Sequence, residues 1–419
     1  MRLKTTGLRM YGKKDLRLET FELPEIKDDE ILASVVTDSL CMSSWKAANQ
    51  GENHKKVPNN VAENPILLGH EFCGEILEVG SKWQGKYKKG EKYVVQANLQ
   101  LKDRPDCPGY TFPYTGGDAT YIILAKEVME QDCLLEYNGE SYFEGSLIEP
   151  LSCVIGAFKA NYHLIEGTYD HKMGIKKDGN LIILGGTGPM GYLAIDYALH
   201  GPVQPKKLVV TGRSQEKIDL VEKLYPKEEG EKAGVELVYM NTGEEQNPAE
   251  ALNQIVDGNG YDDVFVFAPV QELVEQGSAI LATDGCFNFF AGPQNTDFKA
   301  AINFYDVHYR YTHYVGTSGG NTEDMREAVK LIEEKKVNVQ KIVSHVLGLN
   351  DAKDTTLQLP DIPGGKKLIY THKDMPIKSL DEIMKDTSNP LHEIVQKYDG
   401  LWSKEAEDYV LENEKEIQV

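Results

Sequence analysis

The chain has 419 residues, too many for one ordinary hydrophobic core, and is expected to form two or three domains. Its formal net charge of −21 should repel nucleic acid and anionic membranes, so neither is expected as a partner. The sequence shows no signal peptide at Met1–Lys4, no apolar run of about 20 residues and six scattered cysteines without a Cys-x-x-Cys pair, which indicates a cytoplasmic protein with reduced thiols.

Short strand-like segments broken by glycines fill the first 150 residues. Ile31–Val36 and Tyr93–Val95 are rich in β-branched and aromatic residues, and Gly116-Gly117 makes a turn into a strand that reaches Leu124. This part of the chain is therefore predicted to be an irregular β-rich domain.

The pattern changes after Pro150, where continuous apolar runs alternate with helical segments. Four runs have this character: Leu181–Leu184, Leu208–Val210, Val264–Phe267 and Cys286–Phe290. Buried strands that alternate with helices predict an α/β architecture with a parallel sheet covered on both faces.

The last segment, residues 373–419, is predicted to be an appended helical extension. Asn389 and Pro390 are typical of a helix start and Gly400 of a helix end. An apolar stripe on this helix is expected either to pack on the body of the same subunit or to contact a second subunit. The stripe consists of Leu391, Ile394, Val395 and Tyr398.

A glycine-rich loop follows the first apolar strand of the predicted sheet and opens a helix. It fits G-x-G-x-x-G and consists of Gly186, Thr187, Gly188, Pro189, Met190 and Gly191. Glycines at these positions allow a tight turn, close approach of the backbone to a pyrophosphate and close helix packing, and the helix N-terminus offers free N–H groups to the phosphates. The alternative is a tight strand-to-helix turn with no ligand.

The end of the next strand indicates which dinucleotide would bind. Gly212 stands where a dinucleotide site for NAD usually carries Asp or Glu, and Arg213 follows it, with Ser214 and Lys217 close by. Loss of the carboxylate removes repulsion toward a 2′-phosphate, and Arg213 can pair with that phosphate. These residues favour NADP(H); the alternative is a solvated Arg213 and a ribose bound by Glu216.

Four metal-ligating side chains stand in three motifs that are far apart along the chain. Cys41 lies in Leu40-Cys41-Met42, His70 and Glu71 lie between Gly69 and Gly74, and Glu149 precedes Pro150. Zinc with three protein ligands keeps a fourth position open for water or a substrate oxygen, which marks a catalytic site. The sequence therefore predicts a catalytic zinc centre.

Four segments, in this order, resemble the zinc-containing medium-chain dehydrogenase/reductase family in its polyol dehydrogenase branch. They are Cys41-Met42-Ser43, Gly69-His70-Glu71, Leu147 to Ser152 and Gly186 to Gly191. The resemblance covers about residues 5–370. It implies a GroES-like β-rich catalytic domain over 1–158 and 319–372, a Rossmann doubly wound parallel-sheet domain over 159–318, and the helical extension over 373–419.

The resemblance also implies roles for the metal-site residues. The family's ligands correspond to Cys41, His70 and either Glu71 or Glu149, with the second carboxylate acting through water or during turnover; the sequence does not choose between them. Many members hold a second, structural zinc on four cysteines, but the lobe from Gln96 to Tyr114 contains only Cys107, so at most one zinc per subunit is expected.

Ser43 is in the position where the family commonly has a hydroxyl that delivers the proton. The alternative is that Ser43 caps a helix beginning near Trp45. Lys46 replaces a histidine that usually completes the relay, and it is a candidate ligand for a substrate phosphate. Weaker candidates for the same role are His54, Lys55, Lys56 and Arg104.

Within the branch, the sequence is similar to the L-sorbose 1-phosphate reductases. The segments that carry this similarity are Cys41 to Ser44, Ala62 to Pro65, Gly116 to Tyr121 and Phe290 to Pro293. The similarity implies reduction of L-sorbose 1-phosphate to D-glucitol 6-phosphate with NADPH, or the reverse, by a homodimer or homotetramer. The alternatives are a zinc-dependent dehydrogenase of an unphosphorylated polyol or secondary alcohol and a nucleotide-binding sensor on the same fold.

Overall fold

The computed structural model of the protein describes residues 3–418, so the part of the signal-peptide prediction that concerns Met1 and Arg2 lies outside the described residues. The chain forms two compact units. One contains the chain up to Pro150, Asn321–Glu333 and the chain from Val339 onward; the other contains Leu151–Gly320 and Glu334–Asn338.

The secondary structure combines many short strands with helices of modest length. The strands are β1 Lys4–Gly12, β2 Asp15–Glu22, β3 Ile31–Ser39, β4 Ile66–Leu67, β5 Phe72–Val79, β6 Lys92–Val95, β7 Tyr121–Leu124, β8 Leu134–Glu136, β9 Tyr162–Leu164, β10 His171–Met173, β11 Asn180–Leu184, β12 Lys207–Gly212, β13 Glu236–Asn241, β14 Tyr261–Val266, β15 Leu281–Phe289, β16 His313–Gly316, β17 Val343–Gly348, β18 Lys366–Tyr370 and β19 Lys378–Ser379. The helices are α1 Met42–Gln50, α2 Lys126–Glu130, α3 Tyr142–Ser146, α4 Ile148–Ala160, α5 Pro189–His200, α6 Gln215–Leu224, α7 Lys227–Ala233, α8 Pro248–Ile255, α9 Gln271–Ala279, α10 Phe304–Tyr309, α11 Thr322–Glu333, α12 Ala352–Gln358, α13 Leu380–Lys385, α14 His392–Lys397 and α15 Lys404–Asn413.

The first unit is built on a mixed sheet of eight strands. Its main path runs β19-β17-β18-β3-β5-β6-β8, with β7 paired to β3, and a smaller sheet has the order β2-β1-β4. β3 is the longest strand of the larger sheet, and alternate residues such as Ile31, Ala33 and Val35 are buried in the core. The ends of β3 and β5 therefore have a rigid base.

The second unit contains a six-stranded sheet in the order β13-β12-β11-β14-β15-β16, with every neighbouring pair parallel. β11, β12 and β14 are almost fully buried, as strands covered by helices on both faces must be. This is the doubly wound order, in which ligands bind where the strand order reverses, at the carboxyl ends of β11 and β14.

The C-terminal tail belongs to the first unit rather than forming a domain of its own. Leu391 and Val395 are buried, so this part of the stripe packs within the subunit, as one of the two alternatives predicted. The helix was predicted to have Asn389 as its cap and Pro390 in its first turn, whereas α14 begins at His392; the Asn389 side chain nevertheless accepts from the amide of Leu391, two residues on, as a capping side chain does. Gly400 ends the segment at φ +88°.

The compact units divide the chain differently from the predicted domains, whose boundaries stay a prediction. The first division falls at Pro150 rather than at residue 158, inside the continuous helix α4. Across residues 3–418, no helix combines the length and the apolar character that a membrane crossing requires.

Candidate metal and cofactor sites

Two adjacent antiparallel strands bring the metal-ligand motifs together. Asp38 near the end of β3 pairs with Phe72 at the start of β5, so the loop after β3 and the loop before β5 meet. Gly69 shapes the second loop at φ +88°, where a Cβ would lie 1.9 Å from Asp38 Oδ2. The loop conformation that presents His70 therefore requires glycine.

Cys41, His70 and Glu71 form a compact group of potential metal ligands. Their ligand atoms all lie within 4.8 Å of one another, and among the described residues no other group of three or more His, Cys, Asp or Glu side chains does so. One thiol, one imidazole and one carboxylate are the donor types that zinc accepts. The residues present therefore fit a zinc ion.

Hydrogen bonds on both ring nitrogens orient the imidazole of His70. Ser44 Oγ lies 3.2 Å from Nδ1, while Ser43 Oγ at 3.2 Å and the Tyr110 hydroxyl at 3.4 Å are close to Nε2. Burial lowers the pKa of His70 to about 4, although the charge of Glu71 opposes this effect. The ring is therefore neutral at pH 7, the form that binds metal. Sequence reasoning gave Ser44 no role.

Ser43 lies in the first turn of α1, beside the thiol of Cys41. α1 begins at Met42 with Cys41 as its N-cap residue and without a capping side chain, so the alternative that Ser43 caps a helix near Trp45 is wrong. Ser43 Oγ donates to Cys41 Sγ at 2.9 Å. Burial and the charge of Glu71 raise the pKa of Cys41 to about 12, so a metal that binds the thiolate must displace a proton.

The carboxylate of Glu71 is held by two residues that the motifs did not reveal. Lys366 Nζ on β18 donates to Oε1 at 2.5 Å and also to Oε2, and Ser39 Oγ donates to Oε2. Lys366 is 295 residues from Glu71 along the chain, so no local signal predicts the contact.

Glu149 lies nearby but outside the compact group. Its side chain is 8% exposed, near the start of α4, and its charge acts on Lys366, Tyr110 and Cys107. Of the two carboxylates that the sequence left open, the structure thus brings Glu71 into ligand range of Cys41 and His70.

Basic residues cluster around Tyr110 beside His70. The Tyr110 ring lies 4.9 Å from the His70 ring and stacks on His54 at 5.6 Å, and Lys56 Nζ lies 5.0 Å from its centroid. Burial, with the charges of Lys56, Lys55 and Lys46, lowers the pKa of His54 to about 4. Lys46 is half-buried on α1. Arg104, another candidate from the sequence, is exposed and paired with Asp106 and Glu127.

The glycine-rich loop joins β11 to α5 in the second unit. Gly188 is the N-cap residue of α5 and Pro189 its first residue, followed by Met190. A Cβ on Gly191 would lie 2.1 Å from the carbonyl oxygen of Gly186, whereas a Cβ on Gly188 would meet nothing within 4 Å. The helix thus packs tightly on the loop, and open space lies over the residue that a pyrophosphate would approach.

At the end of β12 there is a positively charged side chain, Arg213, and no carboxylate at Gly212. Gly212 is the last residue of the strand, and a Cβ there would lie 2.6 Å from Thr187 Cγ2. Arg213 is exposed directly after it. Ser214 caps α6 and accepts from the amide of Lys217, so its side chain has a local structural role.

Comparisons with known proteins agree with these features. Residues 27–131 match the family model described as the alcohol dehydrogenase GroES-like domain, and residues 189–334 match the one described as zinc-binding dehydrogenase. L-sorbose 1-phosphate reductase of Klebsiella pneumoniae is 59% identical over 413 residues, which are 99% of this chain and 98% of the relative. Mannitol-1-phosphate 5-dehydrogenase of Aliivibrio fischeri is 43% identical over 414 residues, 98% of each chain.

A solved structure shares the fold. It is a zinc-binding dehydrogenase from Sinorhizobium meliloti 1021 bound to NADP, with a TM-score of 0.70 and 19% identity over 88% of this chain and 100% of that chain. Together with the GroES-like match, it confirms the predicted fold class, a GroES-like domain combined with a Rossmann domain.

Proposed function

The chain belongs to the zinc-binding dehydrogenases of the medium-chain dehydrogenase/reductase family, in its polyol branch, and on this premise we propose that it reduces L-sorbose 1-phosphate to D-glucitol 6-phosphate with NADPH, or catalyses the reverse. Its relatives include enzymes named for phosphorylated sugars or polyols. We assign the catalytic domain to 1–158 and 319–372, the cofactor domain to 159–318 and the extension to 373–419, and we propose a cytoplasmic location.

Cys41, His70 and Glu71 are the residues proposed to hold one zinc ion, since their donor atoms lie within 4.8 Å of one another. Bound zinc would supply a Lewis acid for the substrate carbonyl. Ser44 orients His70 through its ring nitrogen Nδ1, and Lys366 and Ser39 orient Glu71. Glu149 is a second carboxylate near the group.

Ser43 is the proposed proton donor to the substrate oxygen. Its hydroxyl lies 2.9 Å from Cys41 Sγ and 3.2 Å from His70 Nε2, on the side of the ring that faces the ligand group. Tyr110 places a second hydroxyl 3.4 Å from the same nitrogen. A proton held at Ser43 Oγ is thus within reach of an oxygen placed beside the ligand group.

The observation that supports a phosphorylated substrate is the cluster of three lysines, Lys46, Lys55 and Lys56, whose charges act on His54. A chain with a net charge of −21 would otherwise repel a sugar phosphate. Lys56 lies against the ring of Tyr110, which also contacts His70, so its amine is one ring away from the metal ligands. We therefore expect a phosphate at one end of a ketose to contact these lysines while the carbonyl of the ketose lies near the ligand group.

The test is a substrate panel of phosphorylated and free ketoses with NADPH and NADH, using zinc-loaded protein. We expect L-sorbose 1-phosphate to be the best substrate, and Lys56→Met and Lys46→Met to raise its KM about 10- to 100-fold. Arg104→Met is the matched control, because Arg104 is already paired with Asp106 and Glu127. Equal kcat/KM for phosphorylated and free ketoses would instead support a dehydrogenase of unphosphorylated polyols.

NADP(H) is the proposed cofactor. Gly212 places no carboxylate at the end of β12, and the exposed Arg213, with Lys217 nearby, offers positive charge to a 2′-phosphate. The loop from Gly186 to Gly191 and the start of α5 are proposed to hold the pyrophosphate.

The proposed assembly is a homodimer, or a homotetramer that contains it. In the described chain, β16 is the outermost strand of the six-stranded sheet and pairs only with β15. α10, just before it, exposes Phe304, Tyr305 and Tyr309. Pairing of two β16 strands would cover this edge. Light scattering of wild type and Val315→Pro tests this assembly, because proline in β16 removes a backbone donor. If Val315→Pro has the same molar mass in solution as wild type, pairing through β16 is contradicted.

A further inference from the structure

Glu407 in the C-terminal tail is a fully buried carboxyl. It lies on α15, and its two oxygens accept from the backbone amides of Tyr142 and Phe143, each at 2.8 Å. The Tyr370 hydroxyl donates to the same carboxyl at 3.4 Å. Burial raises the pKa of Glu407 to about 7, so keeping this group inside the protein costs stability.

The backbone amides that donate to Glu407 are the first two of α3. Ser141, the N-cap residue of that helix, makes no capping hydrogen bond, and its hydroxyl donates instead to Glu144 Oε2 at 2.5 Å. A helix of five residues does not form by itself. The cap that stabilises α3 therefore comes from the tail, 265 residues further along the chain.

α3 packs directly on β3 and β5, the two strands next to the metal-ligand group. Thr37 Oγ1 on β3 donates to the Tyr142 carbonyl at 2.9 Å. A Cβ on Gly145 would lie 2.4 Å from Cys73 Sγ, so α3 contacts β5 closely just after Glu71.

The far end of α3 reaches the carboxylates of the site. Ser39 Oγ donates to Glu71 and also lies 3.4 Å from the Ser146 carbonyl. Glu149 follows in the next helix. A shift of α3 would therefore move a partner of Glu71 and the start of the helix that holds Glu149.

The tail itself is fixed against β18. Trp402 is fully buried, and its Nε1 donates to the Tyr370 hydroxyl at 2.7 Å. Ser403 caps α15 by accepting from the Ala406 amide. The rigid attachment of the tail lets Glu407 hold the start of α3 in one place.

We propose that the C-terminal tail is a positioning element of the metal site and that Glu407 is a positioning residue, which acts through α3 on Glu71 and Glu149. This inference rests on the proposed zinc site but not on the identity of the sugar.

The test compares Glu407→Ala and Glu407→Gln with Glu405→Ala, a control at an exposed position on the same helix whose carboxylate pairs with Lys397. Zinc affinity is measured by competition with a chelator, well below the unfolding temperature. We expect Glu407→Ala to lower zinc affinity about 10-fold and to change the thiolate-to-metal absorption of the Co²⁺-loaded protein. Glu407→Gln, which keeps one acceptor, should show a smaller change, and Glu405→Ala none.

A lower Tm with unchanged zinc affinity and an unchanged Co²⁺ spectrum would overturn the proposal, because Glu407 would then be a structural cap only. If the Glu407 variants do not fold, Tyr370→Phe removes one donor to the carboxyl, and unchanged affinity there counts equally against it. Wild-type protein that binds zinc but does not reduce a phosphorylated ketose would contradict the proposed function and leave this test intact.

Discussion

Lys366 and Glu71 form a buried ion pair beside the thiol of Cys41. Nζ lies 2.5 Å from Oε1, and the two side chains are 4% and 1% exposed. Burial by itself lowers the pKa of Lys366, but the charge of Glu71 and the hydrogen bonds to its carboxylate outweigh it and raise that pKa above its ordinary value. The lysine therefore stays charged, and a metal ion that binds Glu71 shares the carboxylate with it.

Lys366→Met should destabilise the metal-free protein by about 3–5 kcal/mol, because Glu71 is left buried without a counterion. Zinc returns positive charge to Glu71, so we expect it to stabilise this variant more than the wild type. The measurement is urea unfolding with and without zinc. Lys367→Met is the control, since that buried amine donates to the carbonyls of Pro363 and Gly365. An equal effect of zinc on Lys366→Met and wild type would contradict the prediction.

Arg213→Ala should raise the KM for NADPH about 10- to 100-fold, because a charge-assisted bond to the 2′-phosphate is lost. The KM for NADH should stay the same, since that cofactor has no phosphate there. Lys223→Ala, at an exposed position on α6, is the control for a general loss of positive charge. If Arg213→Ala changed the KM for NADPH and for NADH equally, Arg213 would be a solvated side chain that does not bind the 2′-phosphate.

The sheet of the second unit was predictable because its strands are buried on both faces. Leu181–Leu184 and Val264–Phe267 are continuous apolar runs. Such a run indicates a buried strand without any knowledge of which other segment it pairs with. β1 carried no such signal, because its Thr5 and Thr6 are polar and buried. The Thr5 hydroxyl donates to the carbonyl of Tyr121 and the Thr6 hydroxyl to the carbonyl of Gln418, both more than 100 residues away.

The residues of the candidate metal site could be found from motifs, whereas the residues that hold them in place could not. Cys41, His70 and Glu71 stand in short segments that together supply the donor types of a zinc site. Lys366 and Glu407 act on the site through contacts that join distant parts of the chain. Which of Glu71 and Glu149 lies closer to Cys41 also depends on the pairing of β3 with β5, which residue types do not specify.

Asp118→Asn should make stability less dependent on pH. Asp38 and Asp118 are fully buried, and Asp38 Oδ2 and both carboxyl oxygens of Asp118 have no hydrogen-bond partner among the described residues. Burial, with the charge of Asp118, raises the pKa of Asp38, and burial raises the pKa of Asp118 to about 7. Because this pKa lies above the unfolded value of about 4, the folded state binds the proton more tightly. Its contribution to stability is complete below about pH 4 and is lost as the pH rises through about 7, at up to about 1.4 kcal/mol per pH unit.

Asparagine at position 118 donates to Asp38 without titrating, so the variant should gain stability relative to wild type between pH 5 and 8. Urea unfolding across this range measures the difference, with the exposed Asp103→Asn as control. Parallel curves for Asp118→Asn and wild type would show that the pair does not hold a proton in this range.

Ser43→Ala and Ser44→Ala should have different effects although the residues are adjacent. Ser43 Oγ faces Cys41 Sγ and His70 Nε2, whereas Ser44 Oγ contacts only the opposite nitrogen, Nδ1, among the hydrogen bonds described for it. Loss of a proton donor lowers kcat about 10²- to 10⁴-fold. Loss of a group that orients a ligand lowers metal affinity about 10- to 100-fold.

We therefore expect Ser43→Ala to lose kcat with nearly unchanged zinc affinity, and Ser44→Ala to lose zinc affinity first. Single-turnover hydride transfer at saturating zinc and chelator competition measure the two effects separately. Ser43→Thr retains a hydroxyl and should recover part of the rate, which replacement by alanine cannot. The two variants could instead lower zinc affinity equally and have the same kcat when saturated with zinc. Both hydroxyls would then only orient the ligands. The proton would have to come from another group, such as the Tyr110 hydroxyl, which lies 3.4 Å from His70 Nε2.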